Sequence, residues 1–414
     1  MERKHLSTIA SPIMFATFAI VVAATASQNC FAQPARDAKH GISDNPCGGR
    51  TNFFTHYPTL VGGLRGINPL GGVDPPSTHV FPTHHMYLHV PVADLSHPFE
   101  NPLEEPLYSP GRLELVAVEH DSTHADPWDL HLKPCSEVSM YILHVHSLDP
   151  AIAAQLDPST AVSLGDTTVY LTHFDVAAGQ PLGTVGIGTL AWDIGLIDLR
   201  RPPLPFASPD RYALSDTFLS MFPPELRPIL PLIAPQRLYQ FCAFDYFVPP
   251  VRNVLKSLLG SFDGSVRRTA APICGEHMQD IVGTAQGNWF KNANDNVFFD
   301  EGNGVGLVHD NVVPILPAFS VGFSFPNWTP EVRYFTPAGT GLVNRDFSRV
   351  TPGETYCYEN LSQRFGTEPG TVLVEVFSSG SHPADRLRIE RRATVNSCAA
   401  GPYAFGANTV VFQR

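Results

Sequence analysis

The sequence is long, acidic and unusually rich in proline. It has 414 residues, of which 27 are Lys or Arg and 39 are Asp or Glu, so its formal net charge is −12. Because a chain of this charge repels phosphate backbones, we expect no nucleic-acid partner. Short apolar runs alternate with 39 prolines and 32 glycines, and this pattern favours a mainly β architecture over helical bundles.

Residues 1–32 have the three-part pattern of a secretory signal peptide. A basic start, Glu-Arg-Lys-His, precedes an uncharged, mostly apolar run from Ile9 to Ala26, and small residues follow. Cleavage after Ala26 or after Ala32 fits the pattern. A membrane anchor is the alternative, but Ser, Pro, Thr and many Ala residues make the run a poor span. The sequence therefore predicts a secreted or periplasmic protein without a transmembrane segment after signal removal.

The cysteines agree with an oxidising compartment. Removal of residues 1–32 would leave six of the seven, an even number that permits three disulfides. None has the CxxC spacing of a thiolate metal site. Six cysteines allow fifteen pairings, and we favour only one of them, Cys357 with Cys398, because both lie in the C-terminal part. The mature cysteines are Cys47, Cys135, Cys242, Cys274, Cys357 and Cys398.

Residues 33–60 form a predicted entry segment, and residues 61–200 form a predicted β domain. Within the latter, short β-like runs are separated by turn residues, as in a domain built from a sheet or sandwich. The predicted strands are Met86–Val92, Arg112–Glu119, Val138–Val145, Thr167–Thr172, Gln180–Val185 and Thr189–Leu196.

Residues 201–270 are rich in proline, which neither continues a helix nor donates to a sheet ladder. We therefore expect a covering segment of extended pieces and short helices, one of them at Val251–Leu259. Its interleaved Phe, Tyr and Leu residues predict packing on the core. Residues 271–414 return to β character and predict a C-terminal antiparallel β region. Its clearest strands are Thr355–Tyr358, Thr371–Phe377, Arg386–Ile389 and Thr409–Phe412.

Histidines are the most informative residues. In a strand, alternate side chains point to one face, so His85 and His89 should share a face with Tyr87, and His144 should share one with His146. Two adjacent strands would then present up to four imidazoles to one place, and zinc commonly takes three protein ligands in catalytic sites. Three residues of a turn-rich stretch are expected to be solvated, namely His120, His124 and Asp126.

The order of four segments resembles the M23 metallopeptidases, the lysostaphin and LytM type, whose β core is called a duplicated hybrid motif. The resemblance covers about residues 64–200, a third of the chain. Pro82–His89 resembles the first metal-binding motif, Tyr141–Leu148 the second region, Phe174–Gly183 the Gly-Gln hairpin and Ala191–Leu196 the last motif.

This resemblance implies a zinc ion held by His85, His89 and Asp193, with His144 and His146 as catalytic residues. The family has Asp at the position of His89 and His at that of Asp193, and imidazole and carboxylate can exchange as zinc ligands. A catalytic His of the family is replaced by Ala191, which can neither transfer a proton nor stabilise an oxyanion.

Three functions follow as hypotheses. The first is an exported zinc endopeptidase that acts on peptidoglycan or on other exported peptides. The second is a catalytically inactive M23-like module that binds or regulates in the cell envelope, which the Ala191 replacement favours. The third is an extracellular structural scaffold.

Overall fold

The computed structural model describes residues 41–414 except 78, 98–99, 225, 364–365, 381–383 and 401–402. Residues 40–414 cluster into one unit. The predicted signal peptide and the first eight residues of the predicted entry segment lie outside the described residues. Within the described ranges, the strands form three antiparallel sheets of ten, six and four strands.

The ten-stranded sheet takes all its strands from residues 66–198, and every pairing is antiparallel. Its strands are β1 (Gly66–Asn68), β2 (Met86–His89), β3 (Glu105–Tyr108), β4 (Leu113–Asp121), β5 (Trp128–Cys135), β6 (Val138–Leu148), β7 (Ala161–Leu164), β8 (Thr167–Val176), β9 (Pro181–Val185) and β10 (Ala191–Asp198). The order is β1-β2-β10-β6-β5-β4-β8-β7, and β9 pairs with both β6 and β3. Consequently β10 lies between β2 and β6, the two strands richest in candidate site residues.

Each predicted strand of this region overlaps an observed strand, but β1, β3, β5 and β7 were not predicted, and β5 is the longest of these. This strand alternates Leu130 and Leu132, which are fully buried, with Asp129 and His131. A period of two was therefore present in the sequence. The polar positions of β5 are occupied by ionisable residues, and Pro134 interrupts the end of the strand.

The apolar residues of the sheet form one core with the chain that follows it. Leu88, Trp192 and Ile194 are fully buried in the same cluster as Phe244 and Leu255. The short helices of the proline-rich segment are α2 (Asp216–Ser220), α3 (Leu230–Ile233) and α4 (Pro249–Ser257), whereas α1 (Pro150–Ala153) follows β6. Helix α4 begins before the predicted start because Pro is tolerated in the first turn, where its missing N–H is not needed.

The remaining two sheets are built from residues 287–413. Their strands are β11 (Gly287–Trp289), β12 (Val305–His309), β13 (Pro317–Val321), β14 (Glu331–Tyr334), β15 (Thr355–Tyr358), β16 (Leu361–Gln363), β17 (Gly366–Glu368), β18 (Thr371–Phe377), β19 (Arg386–Arg392) and β20 (Val410–Gln413). The six-stranded order is β11-β12-β13-β14-β16-β17, and the four-stranded order is β15-β18-β19-β20. Apolar residues from both sheets share one core. The predicted C-terminal antiparallel β region is thus confirmed.

Three disulfides link residues of the described chain. They join Cys47 to Cys135, Cys242 to Cys274, and Cys357 to Cys398, so the pairing that the sequence favours is present. Over the residues that the structure describes, no helix has the length and hydropathy needed to cross a bilayer.

Candidate metal centre

Asp193 is a buried carboxylate in the middle of the ten-stranded sheet. It lies opposite Tyr87 of β2 and Leu143 of β6, while its neighbours Trp192 and Ile194 point to the other face and are fully buried. Only 2% of Asp193 is exposed. Burial of a charge without a partner is costly, so the groups around this carboxylate decide what the site can do.

Two imidazoles approach the same oxygen of Asp193. His85 Nε2 lies 3.2 Å from Asp193 Oδ2, and His144 Nε2 lies 3.5 Å from it. The side chains of His85 and Asp193 are 4% and 3% exposed, whereas that of His144 is 42% exposed. Despite the short distance, neither ring nitrogen of His85 makes a hydrogen bond within the described chain, and neither does Asp193 Oδ1. The pair therefore has three buried polar atoms without a hydrogen-bond partner.

A β-bulge places His144 beside Asp193. Trp128 pairs with Val145 but Leu130 pairs with Ile142, so β6 has one extra residue at this point. His144 adopts a left-handed φ of 65°, and its backbone N–H donates to Asp129 Oδ1 over 2.9 Å. Bulges re-aim side chains in this way. The simple alternation that predicts a shared face for His144 and His146 is broken here.

His146 contacts a different carboxylate. Its Nδ1 lies 3.2 Å from Asp126 Oδ1 and 3.3 Å from the carbonyl oxygen of Ala125. The Gly188 N–H donates to the same Asp126 oxygen over 3.0 Å. Asp126 is only 4% exposed, so the expectation that it is solvated was wrong: residue 188 and the His146 ring cover it.

His89 lies further along β2 and has its own partner. It pairs with Ala191 in the sheet register, and its Nε2 is 2.7 Å from Asn68 Oδ1 of β1. The structure thus brings His85 and Asp193 together with His144, while His89 contacts a neighbouring amide.

Two groups of metal-ligand type have ligand atoms that all lie within 4.8 Å of one another in the described chain. They are Cys47, Cys135 and Glu137, and Cys242, Asp245 and Cys274. Both contain a disulfide pair, so their sulfur atoms are not the thiolates that metals bind. His85, His89 and Asp193 do not form such a group.

The sequence analysis gave no role to two further histidines of this cluster. The ring of His79 is centred 5.5 Å from that of His85, with the planes at 78°, and 6.4 Å from that of Tyr87. His84 is 5% exposed, its ring is 4.8 Å from that of His85, and its Nδ1 has no hydrogen-bond partner. Both lie in the histidine-rich stretch, and no other feature of the sequence indicated that they belong to the site.

Burial and neighbouring charges shift the pKa values of these groups in opposite directions. Burial lowers the pKa of His85 to about 4, although Asp193 opposes this shift, and it lowers the pKa of His89 to about 4 as well. Burial also disfavours protonation of His144, but attraction to Asp193 outweighs it and raises the pKa to about 9. Burial alone would raise the pKa of Asp193, yet His85 and His144 hold it below its usual value. At neutral pH a neutral imidazole therefore lies beside an ionised carboxylate, as metal ligation requires.

The separation of His85 and Asp193 also fits a shared ion. Zinc binds nitrogen and oxygen ligands at roughly 2.0–2.2 Å, so two ligand atoms on a tetrahedron are on the order of 3.3 Å apart. The observed distance between His85 Nε2 and Asp193 Oδ2 is 3.2 Å. Since this contact is not an aligned hydrogen bond, the spacing suits two ligands better than a donor and its acceptor.

Comparison with known proteins gave no match to any family model, any curated protein or any solved structure. The M23 resemblance therefore stays a prediction that depends on the order of the four segments. The contacts of His85, Asp193 and His144 are independent of it.

Proposed function

We propose that this chain is an exported M23-like protein that binds zinc through His85 and Asp193 and hydrolyses peptide bonds. The observation that supports it most is the buried pair, in which three polar atoms have no hydrogen-bond partner. Such atoms cost free energy when left unpaired, and an ion bound between His85 Nε2 and the Asp193 carboxylate would give this ring nitrogen a partner. Imidazole and carboxylate are ligands that zinc accepts, although other transition metals accept them too.

Bound zinc would supply a Lewis acid and an activated water molecule. The chain's own contribution would be proton transfer by His144, whose side chain is 42% exposed. The bulge holds this imidazole beside Asp193, and Asp129 accepts the His144 N–H and maintains that backbone. His146, oriented through Nδ1 by Asp126, is the second candidate for this role.

The substrate class and the location come from the sequence. The signal-peptide pattern of residues 1–32 supports export, and the three disulfides agree with an oxidising compartment. The M23 resemblance implies peptide cross-links of peptidoglycan, or another exported peptide, as the substrate.

A second candidate function is a zinc-binding or peptide-binding module without turnover. Two observations favour it. Ala191 replaces a catalytic His of the family, and His89 contacts Asn68 instead of the carboxylate. In this hypothesis the site would bind metal or peptide and release no product.

Elemental analysis of the mature, untagged protein after zinc supplementation tests the proposal. We expect about one zinc per chain, its loss in His85→Ala, and its retention in His124→Ala, because His124 is exposed and pairs with Asp121. Peptide release from peptidoglycan by the wild type but not by His85→Ala would support the hydrolase. Zinc without peptide release would favour the binding module. Absence of zinc after supplementation would contradict the hydrolase, and absence of peptide binding as well would contradict the binding module and favour a scaffold.

A further inference from the structure

We infer that His79, and not His89, supplies the third protein ligand of the proposed zinc centre. The inference rests on the proposed function for the presence of the ion. It differs from what the M23 resemblance implies, because the ligand comes from the loop before β2 and not from the strand itself. The resulting ligand set would be two imidazole nitrogens and one carboxylate oxygen.

His89 is poorly placed to be that ligand. It lies four positions after His85, which corresponds to about 13 Å along an extended strand at roughly 3.3 Å per residue. Its sheet partner is Ala191, two residues from Asp193. Its Nε2 already lies 2.7 Å from Asn68 Oδ1, so binding to the ion through this atom would break that contact.

His79 meets the requirements better. Its ring is centred 5.5 Å from that of His85, with the planes at 78°. Two imidazoles on one tetrahedral zinc have centroids roughly 5 Å apart, given Zn–N bonds of about 2.0–2.1 Å. No hydrogen bond or ion pair holds the His79 side chain within the described ranges. The His79 ring itself is half-buried.

The backbone of His79 is fixed even though its side chain is not. The His79 N–H donates to the Asp74 carbonyl oxygen over 3.2 Å, and the Asp74 N–H donates back over 2.9 Å. The ligand atoms of His79, His85 and Asp193 are not all within 4.8 Å of one another, since the described chain offers only the two disulfide-containing groups at that spacing. Completion of the ligand set would therefore require the His79 side chain to rotate about its fixed Cα.

The experiment compares zinc affinities of the mature protein and matched single variants by competition with a chelating dye. We expect His79→Ala to weaken zinc binding by at least about 100-fold, the upper end for loss of a supporting residue, and His89→Ala to change it less than about 3-fold. His79→Asp, which replaces one ligand type by another, should recover at least tenfold of the loss. Absorption of the cobalt-substituted protein should lose its intense tetrahedral bands in His79→Ala but keep them in His89→Ala.

The outcomes separate the two proposals. Zinc binding that survives His79→Ala but not His85→Ala would overturn the His79 assignment and leave the proposed function intact. Loss in His89→Ala with retention in His79→Ala would support the ligand set that the M23 resemblance implies. A wild-type protein that binds no zinc would overturn both. Circular dichroism spectra and melting temperatures close to those of the wild type would establish that the variants are folded.

Discussion

Two of the His–Asp pairs in the described part of the chain differ in how their atoms are satisfied. In the C-terminal region, His309 Nε2 hydrogen-bonds to Asp346 Oδ2 over 3.0 Å, and the other Asp346 oxygen accepts from the N–H and the hydroxyl of Ser348. In the ten-stranded sheet, His85 and Asp193 are more deeply buried, yet their contact is not an aligned hydrogen bond and three of their atoms have no partner.

Buried polar groups whose hydrogen bonds are made within the protein have a structural role. Buried polar groups that lack such partners are suited to bind a ligand. Protein groups also satisfy Arg333 of the C-terminal sheets, which is fully buried and pairs with Glu368. A buried polar atom without a partner costs roughly 1–3 kcal/mol. His85 and Asp193 therefore lower stability in the metal-free protein, and only an external partner would offset that cost.

The largest effect on stability is expected for Arg333→Ala. The Arg333 guanidinium also donates to the Thr329 carbonyl oxygen, and its loss would leave a buried cavity. We expect about 3 kcal/mol of destabilisation, the lower end for breaking a buried pair, because Arg391 still neutralises Glu368. Urea denaturation measures this change, and zinc affinity should stay within about twofold of the wild-type value.

His85→Ala is the matched control for this comparison. It should abolish zinc binding and change the stability of the metal-free protein by less than about 1 kcal/mol, because it removes unsatisfied atoms as well as packing. Destabilisation by His85→Ala equal to that of Arg333→Ala would show that the two regions use their buried polar groups alike.

An intermediate effect is expected for Asp129→Ala. This change removes the acceptor of the His144 N–H in the bulge and should cost about 1–2 kcal/mol. Asp129→Asn keeps an oxygen at that position and should cost less. Hydrogen exchange of the His144 amide provides the local measurement, with faster exchange expected in the Ala variant alone. Equal exchange in both variants would mean that the carboxamide cannot replace the carboxylate.

The smallest effect concerns acid stability. Burial would raise the pKa of Asp346, but hydrogen bonds from His309 and Ser348 outweigh it and lower the pKa below its usual value. A carboxyl group whose pKa is lower in the folded state contributes stability above its unfolded pKa of about 3.9 and loses it as pH falls further. Asp346→Asn should therefore flatten the decline in stability below about pH 4, by at most about 1 kcal/mol for a partly exposed pair. Parallel curves for both proteins would contradict this role.

Local patterns were sufficient to predict most strands and one disulfide. Thr355–Tyr358 and Thr371–Phe377 have the predicted bounds, because alternation and flanking turn residues are local signals. The bulge at His144 depends on a side chain of the adjacent strand β5, and the position of His79 depends on how a loop folds onto the sheet. Neither the bulge nor the position of His79 can be predicted from the alternation of side chains along a single strand.

The disulfide connectivity has a consequence for how the protein would mature. Along the described chain, each bridge closes its loop before the next one begins, at 47–135, 242–274 and 357–398. A chain that emerges from a membrane channel with its N-terminus first would pair each second cysteine with the cysteine already waiting outside. If cleavage after Ala32 removes Cys30, an oxidase that joins thiols in order of emergence would thus generate the native set, without a disulfide isomerase to reshuffle wrong pairs.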